Sequence, residues 1–211
     1  GVGTASTFGN LDPSKQAIIR NACLREFARA GYSGASTNVM CSEAGIAKGL
    51  LFYYFGSKKG LFLYLTEHCT QVLSDSFLHG LELKRETIFD RIVTLTLRKW
   101  ALTDQHPLEY GFLVQQLCDC PPDVEQKIAT MKKVNVERYL QILVQNIDFS
   151  DLRPDLDPAK AIDIVLFVVE GFRARNIEKY RANPRPLSEL HDEIIVELRK
   201  YLDLCRTGLC R

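Results

Sequence analysis

The chain has 211 residues and a formal net charge of +1, and 46% of its residues are hydrophobic while 25% are charged. This composition is typical of a soluble globular protein with one or two domains, long enough to bury a sizeable core. The sequence contains no internal repeat and no low-complexity tract, which excludes repeat proteins and low-complexity proteins.

The start of the chain is predicted to be a flexible tail over residues 1–12, because residues 1–10 are mostly small and polar. The folded part begins at Asp12-Pro13, where an N-cap acid precedes a proline at the first helical position. Asp157-Pro158 repeats this signal, and Ser188 is expected to cap the last helix. Strand signals are nearly absent, so the predicted fold class is all-α with about nine helices. The predicted ranges are 13–31, 37–44, 47–54, 58–82, 86–104, 107–118, 122–147, 157–182 and 188–205.

Positive charge is concentrated near the N-terminus. Residues 13–60 contain seven Lys or Arg and only two acidic residues, which leaves a local excess of five positive charges and a net acidic remainder. A basic segment of this kind suits a partner that carries phosphates.

Two short helices separated by a glycine lie in the same segment. Thr37 is predicted as the N-cap of the first, with Val39, Met40 and Ala44 on its apolar face, and Gly45 supplies the left-handed turn. On the second helix Leu51 and Phe55 are four residues apart and are expected to face the core. This pattern is typical of a helix-turn-helix that binds duplex DNA.

The motif is part of a wider set of spaced residues that resembles the N-terminal DNA-binding domain of the TetR family of bacterial transcriptional regulators, over about residues 13–62. The matching positions are Ile18, Ala22, Phe27, Gly31-Tyr32, Thr37, Ala44-Gly45-Ile46, Lys48-Gly49, Leu51, Phe55 and Ser57-Lys58-Lys59-Gly60-Leu61. The resemblance implies a three-helix DNA-binding domain over residues 13–60, followed by a larger helical ligand-binding and dimerisation domain over residues 61–211.

The resemblance implies which residues contact DNA. Thr37, Tyr54 and Lys58 are expected at phosphates, and Asn38 at a base or a phosphate. Lys48 could bond guanine, and Leu50 could pack on a thymine methyl group. The full expected set is Thr37, Asn38, Lys48, Gly49, Leu50, Phe52, Tyr53, Tyr54 and Lys58.

Two of these positions differ from the family pattern. The family usually has Tyr, whose hydroxyl binds phosphate, where this chain has Phe52, and often a small hydroxyl residue where it has Leu50. Tyr53 or Tyr54 could replace the lost hydroxyl, or Phe52 could simply pack.

The C-terminal domain, residues 61–211, is expected to bind a second copy of the protein and a small molecule. Residues 161–172 are apolar on nearly all faces but too short to span a bilayer, so a buried helix is predicted. By family resemblance the last two long helices form a homodimer interface, which suits a palindromic operator. The expected ligand-binding residues are Trp100, Tyr110, Phe112, Gln115, Glu170 and Arg173. For Glu170 and Arg173 a structural ion pair is the simpler interpretation.

The predicted function is a dimeric repressor that a small-molecule effector releases from DNA, with no cofactor, no metal and no membrane partner. An enzyme is the weaker alternative, because HExxH, GxSxG, P-loop and GxGxxG motifs are all missing. A second alternative is a metal or oxidant sensor using Cys118 and Cys120. The seven cysteines form no CxxC pair, and the N-terminus has no signal-peptide pattern, so a cytoplasmic location is expected.

Overall fold

The structure is a computed structural model that describes residues 7–211, and residues 13–211 form nine α-helices. Residues 7–211 contain isolated β-bridges but no strand, so the predicted all-α fold class is confirmed. The helices are α1 Pro13–Gly34, α2 Thr37–Ala44, α3 Lys48–Phe55, α4 Lys58–Leu78, α5 Ile88–Gln105, α6 Pro107–Gln115, α7 Pro122–Val144, α8 Pro158–Ala182 and α9 Leu187–Leu209.

Helix starts follow the predicted capping chemistry in two cases and depart from it in two. Asp12 accepts a hydrogen bond from the amide of Ser14, and Asp157 accepts one from the amide of Ala159, as expected. At α2, however, Ser36 is the N-cap and accepts from the amide of Val39, so Thr37 is already helical. The prediction for Ser188 is also wrong, because α9 begins after Pro186 with no side-chain cap.

The predicted N-terminal tail differs from the structure where the structure describes it. Residues 1–6 lie outside the described part, but residues 7–9 are helical and the Phe8 side chain is only 1% exposed. Its ring lies 4.9 Å from that of Phe55 and 5.4 Å from that of Tyr54. Phe8 therefore belongs to the core that supports α3.

The chain divides into two compact units. The first comprises the described residues up to His79 together with Leu102–Val136, and the second comprises Gly80–Ala101 together with Glu137–Arg211. This division differs from the predicted domain boundary at residue 60, because α4 and α6 pack with α1 in the first unit.

The core of the first unit is built around aromatic side chains. Phe27 of α1, Phe62 of α4 and Phe112 of α6 meet edge to face, with ring centroids 5.3 to 5.7 Å apart. Such pairs add about 0.5–1.5 kcal/mol each to the free energy gained by burying their area. The core against which the helix-turn-helix packs therefore includes residues distant in sequence, such as Phe112.

The second unit contains a buried arginine. Arg91 is fully enclosed; it donates to the carboxylate of Glu86 at 2.7 Å and to the carbonyls of Lys84, Ile142 and Gln145 at 2.7, 3.0 and 2.7 Å. Two of these carbonyls belong to the C-terminal end of α7, where helical partners are missing. Arg91 thus closes the end of α7 and ties it to the segment before α5.

In α8, Ala161 and Val165 are buried, but Ile164 is 47% exposed and Phe167 is 74% exposed. The predicted burial therefore holds within the chain for one side of this helix only. No helix within residues 7–211 is both long and apolar enough to cross a membrane.

Replacing Arg91 with Ala should lower the free energy of unfolding of the second unit by about 3 kcal/mol, because Glu86 and three carbonyls lose their donor. Thermal denaturation followed by circular dichroism would measure the change. Arg85→Ala is the control, since Arg85 is exposed and forms a surface ion pair with Asp148, and its loss should change stability little. An Arg91→Ala protein as stable as wild type would refute this role.

Candidate nucleic-acid interface

The turn between α2 and α3 has the geometry that the sequence predicts. Gly45 adopts φ 68° and ψ 32°, the left-handed conformation, and its amide is directed to the last carbonyls of α2. The amide of Ile46 donates to the carbonyl of Cys41 at 3.0 Å. This closed turn fixes the direction in which α3 leaves α2.

Helix α3 has one buried and one exposed side. Leu51 and Phe55 are 1% and 9% exposed, which confirms that they face the core. On the other side Lys48 and Gly49 are exposed, Leu50 is 38% exposed and Tyr53 is 57% exposed. The structure therefore brings four of the predicted DNA-binding residues together on one accessible surface, which we call the α3 face.

Tyr54 does not belong to the α3 face. It is 6% exposed, and its ring packs on those of Phe8 and Phe55. The residue is thus a core residue, and only its hydroxyl could supply the phosphate contact predicted for it.

The two lysines that begin α3 and α4 each lie near an aromatic ring. Lys48 Nζ is 5.9 Å from the centroid of Phe52, and Lys58 Nζ is 4.9 Å from the centroid of Tyr32. Both distances allow a cation–π attraction. Phe52 is half-buried, so it packs and holds the lysine side chain at the same time.

The N-terminal turn of α2 carries the remaining predicted contacts. Thr37 is half-buried as the first helical residue, and Asn38 is exposed beside it. Val39 was expected on the apolar face but is 43% exposed, whereas Met40 is fully buried. Sequence reasoning missed Val39 as a surface candidate; the spacing of Met40 and Ala44 on the buried side was the signal for it.

The electrostatics of this region leave positive charge at helix starts. Arg25, Arg29 and Lys59 form ion pairs with Glu43, Glu26 and Asp123. Among residues 7–211, by contrast, no carboxylate lies within ion-pair distance of Lys48 or Lys58. A lysine in the first turn of a helix opposes the helix dipole and costs stability. At each of these two helix starts, the lysine and the free backbone amides of the first turn favour a bound anion.

Three of the predicted ligand-binding residues lie in the second unit. The Trp100 ring stacks on that of His191, with centroids 4.2 Å apart and planes at 4°. Glu170 and Arg173 form an ion pair at 3.4 Å with side chains 69% and 58% exposed, as the simpler interpretation of this pair expects.

The other three lie in the first unit. Phe112 is 1% exposed and packs on Phe27 and Phe62, so we correct its predicted role as a pocket wall: it is a core residue. Gln115 is half-buried at the end of α6. Tyr110 is half-buried on the same helix, and burial raises its pKa to about 12.

The cysteine pair considered as a sensor occupies the loop between α6 and α7. Cys118 is exposed and Cys120 is partly buried, and burial raises the pKa of the Cys120 thiol. Within residues 7–211, no group of three or more His, Cys, Asp or Glu side chains is placed to hold a metal ion.

Comparison with known proteins finds one family model that matches the helix-turn-helix region. Residues 19–65 match the model described as "Bacterial regulatory proteins, tetR family". No curated protein matches the sequence significantly.

Solved structures match nearly the whole chain. A TetR family transcriptional regulator from Chloroflexus aurantiacus J-10-FL is 25% identical over 98% of both chains, with a TM-score of 0.61. FadR from Bacillus subtilis, solved with stearoyl-CoA, is 16% identical over 85% of this chain and 95% of its own, with a TM-score of 0.58. SmeT, the repressor of the Stenotrophomonas maltophilia multidrug efflux pump SmeDEF, is 15% identical over 97% of this chain and 93% of its own, with a TM-score of 0.57. The chain therefore carries the N-terminal domain, and has the fold, of the TetR family of bacterial transcriptional regulators.

Proposed function

We propose that this protein is a dimeric transcriptional repressor that binds a palindromic operator through the α3 face and is released by a small-molecule effector. The observation that carries the proposal is the α3 face itself. Its residues are accessible, and they lie on the opposite side of the helix from the buried Leu51 and Phe55. SmeT, which shares the fold, is a repressor, and this supports the sign of the regulation.

The proposed contacts divide into two groups. Thr37, Asn38 and Lys58 bind phosphates around the starts of α2 and α4, and these contacts set the position of the protein on the duplex. Lys48, Leu50 and Tyr53 lie in the major groove, where Lys48 reaches guanine and Leu50 packs on a thymine methyl group. Gly49 carries no side chain and lets the backbone of α3 approach the bases.

The proposed dimer interface uses the exposed apolar residues of α8 and α9, which pack on each other. Ile164 and Phe167 are three residues apart on α8, and Val196 and Leu204 are eight apart on α9, spacings that place each pair on one side of its helix. Phe167 and Leu204 are 74% and 70% exposed in the single chain. A second copy of the chain would bury this surface and supply the two-fold symmetry of a palindrome.

The effector is proposed to bind in the second unit near Trp100, where Arg173 would exchange its exposed partner Glu170 for an anionic group of the effector. Acyl-CoA is the class to test first, because FadR shares the fold and was solved with stearoyl-CoA. An effector that favours the conformation with lower operator affinity would release the DNA by that difference in affinity alone.

The other functions considered are less well supported. A metal sensor lacks a set of three ligands within residues 7–211, and the raised pKa of Cys120 makes its thiol a poor reactant for an oxidant. The similar structures named above are regulators, so we propose no catalytic activity, and a cytoplasmic location follows from a role on the bacterial chromosome.

Selection of duplexes from a random pool should enrich a palindrome whose half-site centres are about one helical turn (~34–36 Å) or a multiple apart. Lys48→Ala should change the preferred bases, whereas Lys58→Ala should weaken all duplexes alike. Lys127→Ala removes the same charge from the exposed side of α7 and is the control. Failure to enrich any sequence would remove the basis of the proposal.

Gly49→Ala should weaken operator binding severalfold without loss of stability. An added Cβ at Gly49 meets no protein atom within 4 Å, so an effect on binding would come from the approach of DNA to α3. Anisotropy with the selected duplex and thermal denaturation give the two readouts. Gly111→Ala, at another helical glycine with open space, is the matched control. Wild-type affinity in Gly49→Ala would contradict close approach of α3.

Phe167→Glu should convert the dimer to a folded monomer, because it places a charge in the proposed interface while the position is exposed in the single chain. Light scattering after size-exclusion chromatography measures the mass. Val134→Glu introduces the same charge at an exposed valine of α7 and should leave the dimer intact. A dimeric Phe167→Glu protein, or a monomeric wild type, would exclude this interface.

Stearoyl-CoA should change the fluorescence of Trp100, the one tryptophan of the chain, and release the operator over the same concentration range. Ligand binding near the Trp100–His191 stack would alter the surroundings of the indole. Coenzyme A alone is the control for the acyl chain. A flat fluorescence titration with unchanged operator binding would exclude this class of effector.

A further inference from the structure

The loop between α6 and α7 holds the end of α1 through one carboxylate. Asp119 Oδ2 accepts a hydrogen bond from the amide of Ser33 at 2.9 Å, and Asp119 Oδ1 accepts one from the Ser33 hydroxyl at 3.0 Å. Hydrogen bonds to a charged acceptor are stronger than those between neutral groups. Two segments 86 residues apart in the chain are thereby joined within the first unit.

The same carboxylate packs against a glycine with a special backbone conformation. Gly31 interrupts α1 with φ 71° and ψ 178°, and a Cβ added there would lie 2.6 Å from Asp119 Oδ2. The amide of Ala35 returns to the carbonyl of Gly31 at 3.1 Å. The absence of a side chain at Gly31 therefore leaves the space that the Asp119 carboxylate occupies at the kink.

This kink leads directly into the helix-turn-helix. Only Ala35 and Ser36 separate α1 from α2, and Ser36 is the N-cap of α2. The direction in which the chain leaves Ser33 thus helps to set where α2 starts, and α2 is joined to α3 through the closed turn at Gly45.

The loop that carries Asp119 is itself anchored. Gln116 donates to Thr66 of α4 at 2.5 Å and accepts from Lys132 of α7 at 3.0 Å, and Lys59 at the start of α4 pairs with Asp123. These contacts hold the α6–α7 loop, and with it Asp119, in a fixed position against Ser33. A displacement of the loop would therefore also displace the end of α1.

We infer that Asp119 is a positioning residue for the DNA-binding surface: through Ser33 and the Gly31 kink it sets the placement of α2, and with it that of the α3 face, although it does not touch DNA. The inference rests on the proposed function for its DNA readout only. Loss of a negative charge would by itself raise the affinity for DNA. The inference predicts the opposite for Asp119, namely that its removal lowers the affinity for DNA.

The test compares Asp119→Ala with Asp119→Asn and with Glu125→Ala, which removes an exposed carboxylate from the first turn of α7. Asp119→Ala should weaken the selected duplex about tenfold at a temperature well below its denaturation midpoint, as expected for the loss of hydrogen bonds of this strength. Asp119→Asn should restore affinity, because its amide oxygen can accept from the Ser33 amide and its nitrogen can donate to the Ser33 hydroxyl. Glu125→Ala should bind as wild type or slightly tighter.

Hydrogen exchange of the free protein supplies a second readout that needs no DNA. Asp119→Ala should speed exchange in residues 33–40, and Asp119→Asn and Glu125→Ala should not. A lower denaturation temperature with unchanged affinity and unchanged exchange in this segment would overturn the inference, because a purely structural residue gives that result. If wild type bound no duplex, the proposed function would fail, and the exchange result would still decide the role of Asp119.

Discussion

The anchoring of α3 by Leu51 and Phe55 is the constraint on which the proposed DNA-binding surface depends. These two side chains occupy the core of the first unit, so the rotation of the helix about its axis is fixed by their burial. The opposite side of the helix, which carries Lys48, Gly49, Leu50 and Tyr53, therefore faces outward. Phe8 packs against Tyr54 on the buried side of the helix, and the left-handed turn at Gly45 sets the direction of the helix.

Two helix starts in this region carry a charge that is unfavourable for the helix itself. Both α3 and α4 begin with a lysine, although a cation there opposes the helix dipole. The rings of Phe52 and Tyr32 offset part of that cost by holding the ammonium groups. A cost of this kind, retained at two helix starts, is a local conflict of the type expected at functional sites, and it supports the proposed role of these lysines.

The sequence was sufficient for features that depend on near neighbours. The glycine turn, the four-residue spacing of Leu51 and Phe55, and the Asp-Pro helix starts are all local, and the structure confirms them. Ser36 and Thr37 are adjacent hydroxyl residues that can both cap, so the one-residue shift at α2 could not be foreseen. Phe8 and Phe112 show the limit more clearly. Their burial depends on contacts with distant parts of the chain, and so does the pairing of Ser33 with Asp119.

The salt dependence of operator binding tests the central claim most directly, namely that the lysines at the starts of α3 and α4 bind a duplex. The measurement is the slope of the logarithm of the association constant against the logarithm of salt concentration, for wild type and for the Lys48→Ala/Lys58→Ala double variant. A steep negative slope in wild type that becomes shallower by about one to two in the double variant is the expected result, because fewer counterions are released. A wild-type affinity that does not change with salt, or an equal slope in both proteins, would contradict the account.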